Sequence, residues 1–469
     1  MAASKGQRFM FWCANEHQNF RIPEFEALSR LFKIPLNWVE KNTEKPWLII
    51  DLASEKQART LISRSISTRF CVQLWARASN YCNLHEEVKA FPDEIKTPLF
   101  KKENSFKFMV ESFYTSWSLQ ERIAKIETFD YLTFEGPVNL KSPEVTMGIF
   151  EFFGLDHNNL SPEPLDLFFG RLVGEGQRDL IQKLSIKKRK FIGNTTMDPQ
   201  LALLMANMAC VEDGDLVIDP FVGTGSLLIA AAQFGGFVLG TDIDFLMVHA
   251  RTRPSRQGMK KRAVDESMRS NFEQYGLQDR YLDVLVSDSS KPVWSRRGVL
   301  DAVIADPPYG IREKIEKVGT TKVDLVIPAE LVDKHIPQKI DYEMSDVFSD
   351  LLDFGADYLV EGGRLVYWLP INREDYSEDK LPKHPRLRLD ANCEQVLSSH
   401  TSRRLIVMTK LTEAEVEASG ADSDSGANAE NLPDFREKFY AAQRIPRTDR
   451  MDRVKKFGHL NMDADKSSD

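Results

Sequence analysis

The segment V-I-A-D-P-P-Y-G-I at residues 303–311 combines residue types that can orient a weakly nucleophilic amine. Proline fixes φ and has no N–H, so Pro307 and Pro308 favour a rigid loop with free backbone carbonyls. The Asp306 carboxylate and one such carbonyl can accept from the two N–H groups of one amine and aim its lone pair. Tyr309 offers a face on which a planar base can stack, worth roughly 1–3 kcal/mol per base. Taken alone, the segment also fits a stiff turn after a strand.

A second segment, D-P-F-V-G-T-G-S-L-L at residues 219–228, lies between a predicted strand and an apolar helix. Glycine allows a tight turn and a close approach to a ligand, which suits Gly223 and Gly225 to a binding loop. Asp242 follows about 20 residues later, at the end of the next strand, where an acid can accept both hydroxyls of a ribose. The loop lacks the third glycine of a pyrophosphate-binding fingerprint and a Walker-type lysine. It therefore favours a nucleoside without a diphosphate over NAD, FAD or ATP.

Strands and helices alternate after Lys183, which is typical of a parallel sheet covered by helices on both faces. Two of the six predicted strands lie at 363–369 and 403–411. The other four end on aspartates, namely Asp219, Asp242, Asp288 and Asp306. Ligands bind at the carboxyl edge of such a sheet, so the four carboxylates are expected at one rim. Singly, Asp242 also fits a strand-end cap and Asp288 a turn acid or helix N-cap.

Composition limits the classes of function. The chain has 469 residues and a net charge of −8, which allows two or three domains and argues against a protein that coats nucleic acid. An enzyme needs only a local basic surface, so nucleic acid is not excluded as a substrate. Five scattered cysteines without a C-x-x-C pair favour buried free thiols over disulfides or an internal zinc site. With no signal peptide and no membrane-spanning run in the sequence, we expect a cytoplasmic protein that contacts no membrane and binds no metal.

Four regions are expected along the chain. Residues 1–175 form a mixed α+β region without a catalytic cluster, and 176–192 form a basic connector. Residues 193–411 carry both motifs, and 412–469 form an acidic disordered linker and a basic tail with a short helix at F-R-E-K-F-Y. The loop at 313–339 has no interpretable pattern.

Two basic clusters could hold nucleic-acid phosphates. Their members are Lys187, Lys188, Arg189 and Lys190 in the first, and Arg256, Lys260, Lys261 and Arg262 in the second. Lys and Arg contacts to phosphate position a substrate without reading its sequence. A solvated loop explains the second cluster equally well.

The glycine loop and the strand-end acids resemble those of class I S-adenosylmethionine-dependent methyltransferases. The resemblance implies that Asp219 and the glycine loop face the methionine part of the cofactor. It also implies that Asp242 holds the ribose and that Asp288 accepts from the adenine amino group. The remaining cofactor contacts implied in this way are Asn194, Thr195, Asp198, Phe221, Gly223, Gly225 and Ile243.

D-P-P-Y matches the motif of enzymes that methylate exocyclic or amide nitrogens, which implies that the Pro307 carbonyl is the second acceptor beside Asp306. A base in a duplex must be flipped out before it can reach Tyr309. The acceptor is therefore a nucleic acid or a protein glutamine. The turn H-T-S-R at 400–403 lies near the substrate in this interpretation, and it fits a plain hairpin turn at least as well.

The order of motifs over residues 9–411 resembles the eukaryotic tRNA guanosine N2-methyltransferases that modify position 10. The resemblance rests on F-F-G-R-L-V-G-E-G-Q-R-D-L-I, G-R-L-V-Y-W-L-P and N-C-E-Q-V-L-S-S-H-T-S-R-R-L, besides the two motifs above. It implies an α+β ferredoxin-like and THUMP region that binds tRNA. It implies next a Rossmann-like α/β domain with a mostly parallel seven-stranded sheet and an antiparallel last strand. It also implies a small zinc-binding activator subunit as partner.

Two alternatives remain open at the level of sequence. The first is a DNA adenine or cytosine amino-methyltransferase, which uses the same cofactor fold and acceptor motif. No separate target-recognition region accompanies the motifs, and the extra mass precedes the catalytic region. The second is a non-catalytic tRNA-binding subunit that retains the fold, against which the intact Asp242, Asp306 and Tyr309 argue.

Overall fold

The computed structural model describes residues 7–256, 258–320, 330, 337–420, 425–429, 432, 435, 436, 439 and 440. The chain divides into two compact units, Met1–Asp179 and Leu180–Asp469. The boundary falls inside the connector predicted at 176–192. The two units are described separately below.

The first unit is built on a seven-stranded sheet. Its strands are β1 (Gln7–Cys13), β2 (Asn37–Glu40), β3 (Trp47–Leu52), β4 (Thr68–Ala78), β5 (Phe106–Phe113), β6 (Val145–Phe152) and β7 (Asp166–Glu175). Its helices are α1 (Arg21–Phe32), α2 (Glu55–Ile62), α3 (Tyr81–Ala90), α4 (Asp93–Lys96) and α5 (Leu119–Glu127), and α6 (Asp179–Lys183) begins at the boundary.

The strand order in this sheet is β2-β3-β1-β4-β7-β6-β5, and every pair is antiparallel except β5 with β6. Side chains alternate between the two faces, as the period of two in a strand requires. On β1, Phe9 and Phe11 pack in a core cluster with Phe25 of α1, whereas Met10 and Trp12 belong to a cluster on the opposite face. Apolar side chains therefore cover both faces of this part of the sheet.

The second unit holds another seven-stranded sheet. Its strands are β8 (Leu216–Asp219), β9 (Phe237–Asp242), β10 (Tyr281–Val286), β11 (Leu300–Ala305), β14 (Leu359–Asn372), β15 (Leu387–Val396) and β16 (Thr401–Lys410), and the separate hairpin comprises β12 (Glu316–Val318) and β13 (Lys339–Asp341). The helices are α7 (Pro199–Met208), α8 (Ser226–Gln233), α9 (Phe245–Val248), α10 (Met268–Tyr275), α11 (Met344–Tyr358) and α12 (Glu413–Ser419).

The order of this second sheet is β10-β9-β8-β11-β14-β16-β15. The strands from β10 to β14 are parallel neighbours, and β16 is antiparallel to both β14 and β15. The prediction of a mostly parallel sheet with an antiparallel last strand is confirmed. Because the order reverses between β8 and β11, their loops part at the carboxyl edge and leave the crevice in which open α/β sheets bind ligands.

Local sequence explains where helices α7 and α8 begin. Asp198 is the N-cap of α7 and accepts from the backbone N–H groups of Gln200 and Leu201 at 2.8 and 3.4 Å, with Pro199 in the first helical position. Gly225, with φ 81°, is the N-cap of α8, whose residues from Ser226 to Ala232 are all buried. The apolar helix α8 thus fixes the end of the glycine loop to the core.

The prediction of disorder from Thr412 onward is wrong for part of the described chain. Thr412 and Glu415 form a capping box that starts α12, and Val416 on this helix is buried. Further along, Ala429 packs in the core of the second unit, and Phe435 is 4% exposed. Acidic composition did not prevent order here because single apolar residues dock on the catalytic unit.

Candidate active site

The carboxyl edge of the second sheet carries the four strand-end acids together. Asp219 and Asp242 end β8 and β9, and Asp288 and Asp306 follow β10 and β11. All four line one cavity of about 1010 Å³. The other sequence-predicted residues that line this cavity are Asn194, Thr195, Asp198, Phe221, Gly223, Ile243, Pro307, Pro308 and Tyr309. The structure therefore brings the two motifs to one cavity. The role of each residue there stays a prediction.

The two loop glycines differ in what surrounds them. At Gly223, with φ 51°, a Cβ would meet no heavy atom within 4 Å, so the backbone there faces open space. At Gly225 a Cβ would lie 2.9 Å from Cγ of Met268, and the residue is not among those that line the cavity. Gly223 therefore borders the open space of the cavity, whereas Gly225 packs against Met268. The cofactor contact predicted for both glycines stays a prediction.

Asp242 joins the end of β9 to the glycine loop. Its Oδ2 accepts from the backbone N–H of Gly223 at 2.8 Å, and its Oδ1 accepts from that of Asp244 at 2.8 Å. Burial raises the pKa of Asp242, while these two N–H groups and the charge of Lys339 act in the opposite direction. Each carboxylate oxygen retains a further lone pair for a hydroxyl donor in the cavity.

Asp219 and Asp288 are both deeply placed and bonded to their own turns. Asp219 is 2% exposed, and burial raises its pKa well above the usual range. Asp288 accepts from the backbone N–H groups of Ser290 at 2.9 Å and Val318 at 2.6 Å. The turn-acid geometry allowed for Asp288 is therefore present, and through Val318 it also holds the β12–β13 hairpin beside the cavity.

The D-P-P-Y segment at residues 306–309, called the acceptor loop below, forms a compact polar cluster with Arg403. The Tyr309 hydroxyl donates to Oδ1 of Asp306, and Nη1 of Arg403 lies 3.5 Å from Oδ2 of Asp306 and 3.4 Å from the Tyr309 hydroxyl oxygen. Burial raises the pKa of Asp306, whereas the positive charge of Arg403 lowers it. Burial also raises the pKa of Tyr309, so the phenol stays protonated and can donate to the carboxylate.

The ring of Tyr309 has an aromatic neighbour from the C-terminal part of the chain. Phe435 lies edge-on to it with ring centroids 6.5 Å apart, and Phe439 lies 6.0 Å from Phe435. Both phenylalanines line the cavity. The sequence predicted a short helix at F-R-E-K-F-Y, which contains both residues, but gave no sign that they line the cavity.

Other cavity-lining residues were missed or only loosely placed by the sequence. Lys339 and Glu313 lie in the segment that gave no interpretable pattern, and Thr195 donates to Oε1 of Glu313 at 3.3 Å. His400 is 7% exposed, and its Nε2 has no hydrogen-bond partner among the described residues. The sequence signal for His400 and Arg403 was the predicted H-T-S-R turn at 400–403. In the structure only His400 precedes the last strand, and Arg403 lies within β16.

The first basic cluster divides into surface and buried members. Lys187, Lys188 and Lys190 are exposed, and Lys190 lies 3.1 Å from the carboxylate of Asp265. Arg189 is 1% exposed and donates to Ser226 Oγ at 2.6 Å and to a backbone carbonyl. The expected phosphate contact is therefore wrong for Arg189, whose hydrogen bond to Ser226 holds the first residue of α8.

The second basic cluster divides in the same way. Lys260 and Lys261 are exposed, whereas the guanidinium of Arg256 donates to the carbonyl of Arg189. Arg262 has a side chain only 7% exposed and is bonded to Glu266 at 2.9 Å and to three backbone carbonyls. Arg262 thus organises its own loop and is not available to a phosphate, contrary to the expectation.

The remaining sequence expectations concern metal, membrane and thiols. Within the described ranges, no three His, Cys, Asp or Glu side chains are grouped to hold a metal ion. No helix in that part of the chain has the length and hydropathy to span a membrane. All five cysteines are free, and Cys13, Cys71 and Cys393 are buried as expected, whereas Cys82 is exposed.

Comparison with known proteins extends over both units. Residues 7–178 match the family model described as the Tmrp11 THUMP N-terminal domain, and residues 187–321 match the RMKL-like methyltransferase domain. The chain is 42% identical over 456 residues to tRNA (guanine(10)-N(2))-methyltransferase TRMT11 of Xenopus laevis, with 96% of this chain and 94% of that protein covered. It is 42% identical over 443 residues to the protein of that name in Homo sapiens, covering 92% and 95%.

More distantly related proteins are also similar to this chain. The Dictyostelium discoideum protein of that name is 32% identical over 431 residues, with 87% of this chain and 82% of that protein covered. Among solved structures, TrmN from Thermus thermophilus aligns with 86% of this chain and 100% of its own, at 18% identity and a TM-score of 0.42.

A mostly parallel sheet of this order, with acids at successive strand ends and the D-P-P-Y segment in the same cavity, defines a class I methyltransferase, here joined to a THUMP-containing unit. The identity to the curated relatives runs through both parts rather than through the catalytic half alone. The chain belongs to the TRMT11 family of tRNA (guanine(10)-N(2))-methyltransferases.

Proposed function

We propose that this protein transfers a methyl group from S-adenosylmethionine to the exocyclic N2 of the guanosine at position 10 of tRNA. The observation that carries the proposal is the placement of Asp306, Pro307 and Tyr309 in the same cavity as the strand-end acids, in a chain of this family. The first unit, with its THUMP match, is the part that holds the tRNA.

The residues at the strand ends fit the cofactor. Asp242 offers carboxylate lone pairs to a ribose, and Gly223 leaves open space beside it. Asp219 and Asp288 line the same cavity. We assign Asp219 to the methionine part of the cofactor and Asp288 to its adenine. When bound, S-adenosylmethionine supplies a sulfonium methyl group, and the N2 lone pair forms the new bond to it as the C–S bond pair returns to sulfur.

The acceptor loop compensates for the poor nucleophilicity of a base amine, whose lone pair is delocalised into the ring. Asp306 and the Pro307 carbonyl accept from the two N–H groups of N2 and direct its lone pair. The face of Tyr309 supports the base, which must leave the helix to enter the cavity. No strong base is needed, because the N2 proton can pass to the Asp306 carboxylate or to water during or after transfer.

The direct test is mass spectrometry of nucleosides from tRNA treated with the purified protein and its partner subunit. We expect N2-methylguanosine at position 10, and none in a matched transcript with adenosine at that position. Duplex DNA serves as a second substrate. Methylation of the DNA, or of an amine elsewhere in the tRNA, would contradict the proposal.

We also propose that a small zinc-binding activator subunit pairs with the edge strand β10. Among the described strands, β10 pairs with β9 alone. Leu282, Leu285 and Val286 on this strand are 49%, 40% and 44% exposed. An exposed apolar edge offers unpaired backbone groups and side-chain contacts to a strand of another chain.

Co-expression of the two subunits tests this interface. Leu285→Lys should reduce co-purification of the activator, because it places a charge on the apolar edge. Val264→Lys is the matched control, since Val264 is fully exposed and lies outside β10. Equal recovery of the activator with both variants would exclude β10 as the contact. We also propose a cytoplasmic location, which fractionation of cells tests.

A further inference from the structure

We propose that Arg403 keeps Asp306 ionised and that the ionised carboxylate selects guanine as the acceptor base, an inference that rests on the function proposed above. Arg403 is a positioning residue in this scheme, because it acts through Asp306 and not on the substrate. Asp306 then has a second task besides orienting the amine, which is to distinguish guanine from the other amine-bearing bases.

The side chain of Arg403 is fixed by neighbouring strands. Its Nε donates to Oε1 of Gln395 on β15 at 2.7 Å, and its guanidinium carbon lies 4.0 Å from the ring centroid of Trp368 on β14. These contacts turn Nη1 toward the acceptor loop, where it approaches both Asp306 and Tyr309. A planar guanidinium held on an aromatic face loses little further freedom when it pairs with a carboxylate.

Three charged or titratable groups face Asp306 from different elements. Arg403 comes from β16, Tyr309 from the same loop, and Asp219 from the end of β8. Burial raises the pKa of Asp306, and the charge of Arg403 is the largest effect that opposes it. Without the guanidinium charge, the pKa of Asp306 rises further, which favours the protonated acid.

The chemistry of the bases makes the ionisation state decisive. Guanine presents N1–H and N2–H side by side, and a carboxylate can accept both, one with each oxygen. The second N2–H remains for the Pro307 carbonyl. Adenine presents an N1 lone pair beside its amine. An ionised carboxylate repels this lone pair, whereas a protonated acid or an amide can donate a hydrogen bond to it.

The ligand-free geometry already shows one such donor on the carboxylate. The Tyr309 hydroxyl donates to Oδ1 of Asp306, while Oδ2 faces Arg403. The hydroxyl occupies a lone pair that an N–H of the incoming base can take once the tyrosine turns its face to that base. Oδ1 of Asp306 is thus placed to accept a hydrogen bond from the base, while Arg403 holds Oδ2 by charge.

The first experiment compares the pH dependence of kcat for Arg403→Met and Arg403→Lys with wild type, on tRNA with guanosine at position 10. The active form of Asp306 is ionised, so kcat is lost as the pH falls through the pKa of this group. We expect the acidic limb of Arg403→Met to move up by about 1 pH unit or more, with activity recovering at high pH. Arg403→Lys, which keeps the charge, should stay close to wild type in pH dependence.

The second experiment uses wild-type protein and tRNA carrying 2-aminopurine at position 10. This base keeps the exocyclic amine and lacks N1–H, so it removes one hydrogen bond to the carboxylate. We expect kcat/KM to fall by about 10-fold or more relative to guanine, as for the loss of a hydrogen bond to a charged group. Asp306→Asn should abolish or reverse that preference.

The outcomes separate this inference from the proposed function. If wild type does not methylate guanosine at position 10, the proposed function fails. If it does, but methylates 2-aminopurine equally well, guanine selection by Asp306 is excluded. If Arg403→Met lowers kcat by one factor at every pH, Arg403 has only a structural role. Should that variant not fold, the 2-aminopurine measurement and Arg403→Lys still decide.

Discussion

At the scale of single residues, the strand-end acids serve two purposes at once. Asp242 and Asp288 each accept two backbone N–H groups and still line the cavity. The sequence identified all four acids because each ends a strand before a turn. It could only loosely place Arg403, which is distant in sequence from Asp306 and reaches it because β16 runs antiparallel to β14.

Asp306→Ala should lower methyl transfer by about 100-fold or more, because the amine loses an acceptor that positions it. Tyr309→Phe is the matched control, since it keeps the aromatic face and removes only the hydroxyl that donates to Asp306. Single-turnover assays measure the chemical step, and calorimetry checks that cofactor binding is retained. Near-normal turnover of Asp306→Ala would show that the acceptor has been wrongly assigned.

Asp242→Ala should raise the dissociation constant of the cofactor by about 10-fold or more, equivalent to about 1.4 kcal/mol. The variant removes the proposed ribose acceptor and also frees the N–H of Gly223. Isothermal calorimetry with the purified protein gives the constant. An unchanged value would count against the ribose role.

At the scale of elements, the burial pattern of each strand explains whether the sequence could predict that strand. The six predicted strands of the second sheet are present. The strand β15 was missed because L-R-L-D-A-N-C-E-Q-V carries polar residues at an edge where only its first and seventh positions are buried. In the first unit, where the sequence predicted only a mixed α+β region, β6 shows no alternation because V-T-M-G-I-F-E-F is buried at every position.

Gly225→Ala should destabilise the protein by about 1–3 kcal/mol, because φ 81° is unfavourable for alanine and its Cβ would contact Met268. Urea unfolding measures the loss, and Gly225→Ala combined with Met268→Ala should recover the part due to contact. Gly223→Ala is the control: its φ of 51° also strains an alanine, but its Cβ would meet no atom, so it should lose less stability than Gly225→Ala and should also weaken cofactor binding. Equal loss of stability in both single variants would refute this distinction.

At the scale of the whole molecule, a net charge of −8 means that phosphate contacts must come from local clusters of positive charge. The structure leaves Lys187 and Lys188 exposed and buries Arg189 between them and the core. Sequence could not separate these neighbours, because their side-chain directions depend on how the connector packs against α8. The division between the two units falls after Asp179, within the connector predicted at 176–192, and the other predicted domain limits stay predictions.

Lys187→Ala with Lys188→Ala should weaken tRNA binding and reduce its salt dependence, by about 0.7–0.9 in the log–log slope for each phosphate that a lysine no longer neutralises. Arg189→Ala should instead lower the unfolding temperature, because Ser226 and a carbonyl lose their partner. Binding titrations at several salt concentrations measure the first effect, and thermal unfolding measures the second. An unchanged salt slope would show that these lysines do not bind the tRNA.

The position of Phe435 beside Tyr309 affects how truncated forms of this protein should be interpreted. Composition suggests Leu411 as a natural place to end a catalytic fragment. Such a fragment would keep both motifs and yet lack the buried Val416, Ala429 and Phe435. If such a fragment were inactive, the loss could be attributed in error to a missing subunit. The fragment would in fact lack Phe435, an aromatic side chain that lines its own cavity.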